Sequence, residues 1–185
     1  MRNKIIALIY FICLAILFGI SQKGIAVEQP KNLQISASFI DDSTTEIEKL
    51  FRNNLTLGDC IFYPTVPRGL IVSINSIVFF DDGKEEIKEC SKEVLNKIAQ
   101  ILKFINKPCI IEGNTTKNSY TSSIYRSDWE ISMVRAEKIA DYLIKAGNLN
   151  HEQIRAIGFG EFVPYSDPGA EMNERIDFVI LNWGK

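Results

Sequence analysis

Arg135 is the side chain in this sequence best placed to do chemistry, and that chemistry is anion recognition rather than bond breaking. It stands two turns into a segment, residues 127–147, that opens on Ser127 with Glu130 three positions later. That pair is a capping box, in which two side chains satisfy amide donors orphaned at a helix start. A helix N-terminus attracts carboxylates, and an arginine close by holds one through two parallel N–H donors. Ile131, Val134, Ile139, Leu143 and Ala146 recur at helical spacing behind the cap, and Gly147 is the expected stop.

No comparable case exists for catalysis. The single histidine, His151, falls in a short connection with no nucleophile or metal-ligand pattern around it. The sequence contains no H-E-x-x-H, no glycine-rich phosphate loop and no nucleophile elbow. Glu85, Glu86 and Glu89 fall on the solvated side of a predicted helix. The expectation is therefore a protein with no catalytic residues, no metal ligands and no cofactor. A formal net charge of -2, with lysines and arginines dispersed among acids, removes the basic face that nucleic-acid binding needs. Beyond the leader the cysteines are Cys60, Cys90 and Cys109, an odd count without a C-x-x-C pair. At most one intramolecular disulfide is available, and the placement of Cys90 on an apolar helix face and Cys109 in a strand predicts buried free thiols.

The elements that must position Arg135 follow from the order of the chain. Arg2 and Lys4 precede an uninterrupted apolar run over residues 5–20, and Gly24 and Ala26 supply small residues for cleavage. Residues 1–26 read as a signal peptide or as an uncleaved membrane anchor, and both place the remainder outside the cytoplasm. Residues 27–67 read as a linker that allows a short helix over 41–54, with Ile47, Leu50 and Phe51 as its stripe. Residues 69–80 are rich in β-branched and aromatic side chains and predict a strand, bent near Asn75 and Ser76 if not continuous. Asp81-Asp82-Gly83 breaks it. A helix is expected over 85–106, with Ile87, Cys90, Val94, Ile98, Ile101, Leu102 and Ile105 on one side. A short strand over 109–113, a polar loop over 114–126, the capped helix, a strand over 153–160 and a turn-rich segment with Pro164, Pro168 and Gly169 follow. The last strand, 175–181, turns Ile176, Phe178 and Ile180 inward, alternating with Arg175, Asp177 and Val179. This order predicts an α+β, two-layer sandwich with helices on one face of a mixed sheet.

Four pieces of residues 68–182 resemble the OmpA-like, or OmpA/MotB C-terminal, domain family. Residues 68–72 followed by Ile77-Val78-Phe79-Phe80-Asp81 resemble its first strand and F-D turn. Ile111-Glu112-Gly113-Asn114-Thr115-Thr116 stands where the family writes I-x-G-H-T-D. Asp128-Trp129-Glu130-Ile131-Ser132-Met133-Val134-Arg135-Ala136 is similar to N-x-x-L-S-x-x-R-A. Gly158-Phe159-Gly160, Pro164 and Asn173-Glu174-Arg175-Ile176 are similar to G-x-G, P and N-R-R-V. The resemblance implies a β-α-β-α-β-β domain in the periplasm or cell envelope that holds peptidoglycan noncovalently through the diaminopimelate of its stem peptide. It implies Arg135 as the carboxylate holder, with Asn114, Thr116, Asn173 and Arg175 bordering the site.

The sequence departs from that pattern where the ligand's ammonium would sit. Thr116 replaces the aspartate, and Asn114 replaces the histidine. One expectation is that Asp128, at the capped helix start, supplies the missing negative charge. Another is a domain that keeps the fold and has lost the ligand, serving as a structural or docking element. A flagellar stator subunit of the MotB type is a third reading, but residues 5–20 hold no carboxylate of the kind a proton path needs. The sequence leaves dimerisation open, and membrane contact depends on whether the leader is cleaved.

Overall fold

The computed structural model describes residues 44–66, 69–117, 125–165 and 171–181. The signal or anchor over 1–26, linker residues 27–43, residues 118–124 of the polar loop, and the turn with Pro168 and Gly169 lie outside the described residues. Helices α1 (Thr44–Asn54), α2 (Lys92–Ile105) and α3 (Asp128–Gly147) accompany strands β1 (Ile61–Phe62), β2 (Thr65–Val66), β3 (Gly69–Asn75), β4 (Cys109–Asn114), β5 (Ile154–Gly160) and β6 (Arg175–Leu181).

The strands form one mixed sheet in the order β1-β3-β6-β4-β5, with β2 also paired to β3. β6 runs antiparallel to both β3 and β4, while β4 and β5 are parallel. Parallel neighbours need a crossover, and α3 is that crossover. It packs on β4 and β5, α2 packs on α3, and α1 packs on β3 and α2. The helices thus cover one face, as the order of elements predicted. Under them the registers align buried apolar rows across β3, β6 and β4: Leu70 with Ile180 and Cys109, then Val72 with Phe178 and Ile111.

Several local expectations are corrected. The short helix allowed over 41–54 is present as α1, but residues 44–66, otherwise read as linker, are built into the domain. Ile47 and Phe51 are fully buried, and β1 and β2 pair with β3. Of the two readings of residues 69–80, the continuous strand fails and the bend near Asn75 and Ser76 is found: β3 stops at Asn75, whose Oδ1 accepts from the Ile77 amide at 3.0 Å and turns the chain into a 3-10 turn. Phe79 and Phe80 are then folded back into the core, Phe79 edge-on to Phe178. The helix expected from residue 85 begins at Lys92 after a 3-10 turn over Glu89–Ser91, pinned where the Ser91 hydroxyl donates to the Val78 carbonyl at 2.6 Å. Cys90 is therefore exposed, not on an apolar face, and Leu95 and Ala99 join the buried stripe. In α3, Ile131, Ile139 and Leu143 are buried as expected, whereas Ala146 is exposed. The helix runs through Gly147 and ends at Asn148 in the left-handed conformation (φ 51°). The reason for Gly147 is space, since a Cβ there would stand 2.6 Å from the Ala99 methyl.

Candidate ligand-binding site

The Ser127 half of the capping box is formed as read, and the return bond from Glu130 falls one residue earlier, on Arg126. The Ser127 hydroxyl accepts from the Glu130 amide at 3.2 Å, and the Glu130 carboxylate accepts from the Arg126 amide at 2.7 Å. What fixes the height of α3 on the sheet is a pair of glycines. A Cβ on Gly113 of β4 would fall 2.0 Å from the Ser132 carbonyl oxygen, and one on Gly158 of β5 would fall 2.4 Å from the Met133 nitrogen. Helix backbone lies directly on strand backbone there. Buried Ser132 closes the contact, accepting from the Gly160 amide at 2.9 Å and donating to the Trp129 carbonyl at 2.8 Å. Arg135 comes one turn after this clamp, so its position is set by backbone contact rather than by a flexible side-chain stack.

Arg135 is 1% exposed and is the largest fully buried side chain. Its Nε donates to the Lys84 carbonyl at 2.8 Å, its guanidinium lies 5.3 Å from the centre of the Phe80 ring, and Nη1 stands 3.6 Å from Glu174 Oε2. Nη1 is buried with no hydrogen-bond partner among the described residues. Burial pushes the guanidinium pKa down, against the opposing pull of Glu174, Asp82 and Glu85. A pocket of about 510 Å³ opens beside it, at the end of the sheet where β3 and β4 finish and β6 begins. Thr116, Ser76, Glu174, Asp81 and Asp82 contribute polar groups to its walls, and Phe80 and Ile77 contribute apolar surface. Ile77 is 62% exposed at the rim.

The expected site residues divide among three places. Arg135 and Thr116 line the pocket together. The Thr116 hydroxyl donates to Glu174 Oε1 at 3.0 Å. Asn114, Asn173 and Arg175 lie just behind, buried, and are not among its lining residues. Arg175 Nε reaches both oxygens of Asp177 at 3.0 and 3.2 Å, the Asn114 amide reaches Asp177 Oδ2 at 3.1 Å, and the Ser73 hydroxyl reaches Oδ1 at 2.6 Å. Arg175 Nη2 donates to the Val163 carbonyl, and Asn173 Oδ1 accepts from the Tyr165 amide at 2.7 Å. These groups hold the end of β6 and the segment after β5 in place. Asp128 opens α3, where its carbonyl accepts from the Thr115 hydroxyl at 3.4 Å, and it does not line the pocket.

Of the pocket residues not expected from the sequence, Glu174 is the acid nearest Arg135. Its signal was available: a glutamate stands at 174 where an arginine was expected, in the same chain that has a threonine at 116 where an acid was expected. Only the pairing of β6 with β4 shows that the two positions touch.

The chain matches the OmpA family over residues 79–175, just over half of its length. It is 31% identical over 151 residues to Motility protein B of Bacillus subtilis, covering 78% of this chain and 57% of that protein. It therefore spans little more than half the length of that relative. In fold it is similar to the periplasmic domain of Helicobacter pylori MotB (TM-score 0.62, 18% identity, 69% of this chain and 85% of that one). It is likewise similar to the cell wall anchor of the type VI secretion system of Pseudomonas aeruginosa (TM-score 0.62, 16% identity, 76% and 97%).

Proposed function

We propose, from the premise that this chain belongs to the OmpA family, that it is a non-catalytic, exported cell-envelope protein whose domain holds peptidoglycan in the Arg135 pocket. The observation that carries the reading is the buried arginine at the wall of a pocket, whose Nη1 makes no hydrogen bond and, among the described residues, has only the Glu174 carboxylate at 3.6 Å as a partner. Burying a guanidinium with an unmet donor costs stability, and an incoming carboxylate satisfies it through a charge-assisted hydrogen bond. Diaminopimelate brings a carboxylate and an ammonium on one carbon, followed by methylenes. Arg135 meets the first, a wall acid meets the second, and Phe80 and Ile77 cover the aliphatic part. Asn114, Asn173 and Arg175 act from behind, by fixing the β6 end from which Glu174 projects. That a cell wall anchor of Pseudomonas aeruginosa has this fold accords with the same reading. Co-sedimentation with purified sacculi tests it. Wild-type protein should pellet with sacculi and be released by excess diaminopimelate, and protein that stays in the supernatant would rule the reading out.

The identity with Motility protein B supports a second reading, a stator-type subunit that anchors a membrane complex to the wall. Complementation of a strain lacking its motility protein B separates the two, since wall binding without rescue of swimming leaves only the first.

A further inference from the structure

We propose that Glu174 is the residue that selects for an ammonium in this pocket; the inference rests on the Arg135 pocket being the ligand site, as proposed above. Three carboxylates line the pocket, those of Asp81, Asp82 and Glu174. Asp81 and Asp82 are exposed, so water screens them and their pull on a ligand charge is weak. Glu174 differs in two respects. Its side chain is only 20% exposed. Its two oxygens are oriented by neighbouring hydroxyls, Oε1 by Thr116 at 3.0 Å and Oε2 by Ser76 at 3.4 Å. A carboxylate held in one orientation at a half-dry wall is the arrangement that reads a cation.

Its distance from Arg135 adds the second half of the argument. Oε2 lies 3.6 Å from the Arg135 Nη1 that lacks a hydrogen bond. Opposite charges this close suit a ligand whose own opposite charges sit on one carbon, the carboxylate turned to Nη1 and the ammonium to Glu174. A ligand with a carboxylate alone would meet Arg135 but face the glutamate as a like charge. The lining acids outnumber the lining arginine, so the pocket as a whole penalises a ligand end of net negative charge. Specificity of this kind comes from the repulsion as much as from the attraction.

The test compares two probes on the full chain by titration calorimetry: a muropeptide whose diaminopimelate amine is unmodified, and the same muropeptide with that amine acetylated. Wild type should bind the amine form at least about tenfold more tightly, a difference of roughly 1.4 kcal/mol. Glu174→Gln keeps the volume and the acceptor for Thr116, and should bind both probes alike; Glu174→Asp should recover part of the preference. Retention of the full preference in Glu174→Gln overturns the proposal. So does its loss in Asp128→Asn with retention in Glu174→Gln, which would move the role to the helix start. Equal binding of both probes by wild type overturns it while leaving the Arg135 reading intact, and binding of neither overturns both. The wild-type comparison needs no variant to fold.

Discussion

Replacing Arg135 by methionine should abolish ligand binding while leaving folding stability within about 1 kcal/mol of wild type. The interactions lost are the Nε hydrogen bond to the Lys84 carbonyl and the 3.6 Å pair with Glu174. A hydrogen bond from a charged donor contributes roughly 1.5–3 kcal/mol. The ion pair adds under about 1 kcal/mol, because Glu174 keeps some contact with water. Against these stands the cost of a guanidinium that is 1% exposed and whose Nη1 makes no hydrogen bond. A buried unsatisfied group of this kind costs roughly 1–3 kcal/mol, and the Glu174 carboxylate left behind is 20% exposed, so water compensates the charge that a fully buried partner would leave stranded. Methionine follows the path of the arginine stem over the Phe80 ring, where a thioether packs well. Glu174 retains its hydroxyl partners Thr116 and Ser76. Urea unfolding followed by circular dichroism reads the difference directly. A loss beyond about 3 kcal/mol would refute the reasoning, since it would make Arg135 a structural strut rather than a group kept for a ligand.

The remaining predictions concern the frame around the pocket. Gly113→Ala drives a Cβ to 2.0 Å from the Ser132 carbonyl; lifting α3 should cost at least about 1–3 kcal/mol in urea unfolding and weaken sacculus binding, and a neutral result would contradict the backbone contact. Asp177→Ala strips the buried Arg175 of both its carboxylate contacts and should destabilise by roughly 3–5 kcal/mol in the same assay. Alkylation of the native protein, mapped by mass spectrometry, should label exposed Cys90 first, half-buried Cys60 more slowly, and Cys109 only on unfolding. Cys109 is fully buried, and burial pushes its thiol pKa up, away from the reactive thiolate. Ligand should slow labelling of Cys60, which lines the pocket, without affecting Cys90.

Much of the frame was legible because the signals were local or periodic. The Ser127 cap and the stripe of Ile131, Ile139 and Leu143 each follow from neighbours within a few residues. The alternation read in β6, by contrast, is no burial pattern, because Arg175, Asp177 and Val179 are buried along with Ile176, Phe178 and Ile180. The errors arose where a distant partner decided the outcome. Residues 85–91 have helical spacing, but the Ser91 hydroxyl is tied to Val78 and the α-helix waits until Lys92. Residues 61–66 look like proline-punctuated linker, yet β3 offers them an edge to pair with. The site divides in the same way. Arg135 was visible through its cap and motif, whereas Glu174 depends on β6 lying beside β4, which brings it to Thr116 across 58 positions of sequence. The sequence points to Asp128 as the anionic group through its place at the capped helix start, near Arg135. In space, Glu174 is the pocket acid that stands 3.6 Å from that arginine.

The central claim is that the Arg135 pocket, not the surface of the domain at large, holds the cell wall. Sacculus co-sedimentation of wild type and Arg135→Met side by side, with stability checked as above, tests it most directly. The account predicts that wild type pellets with sacculi and that the folded variant stays in solution. Equal pelleting of the two would contradict it.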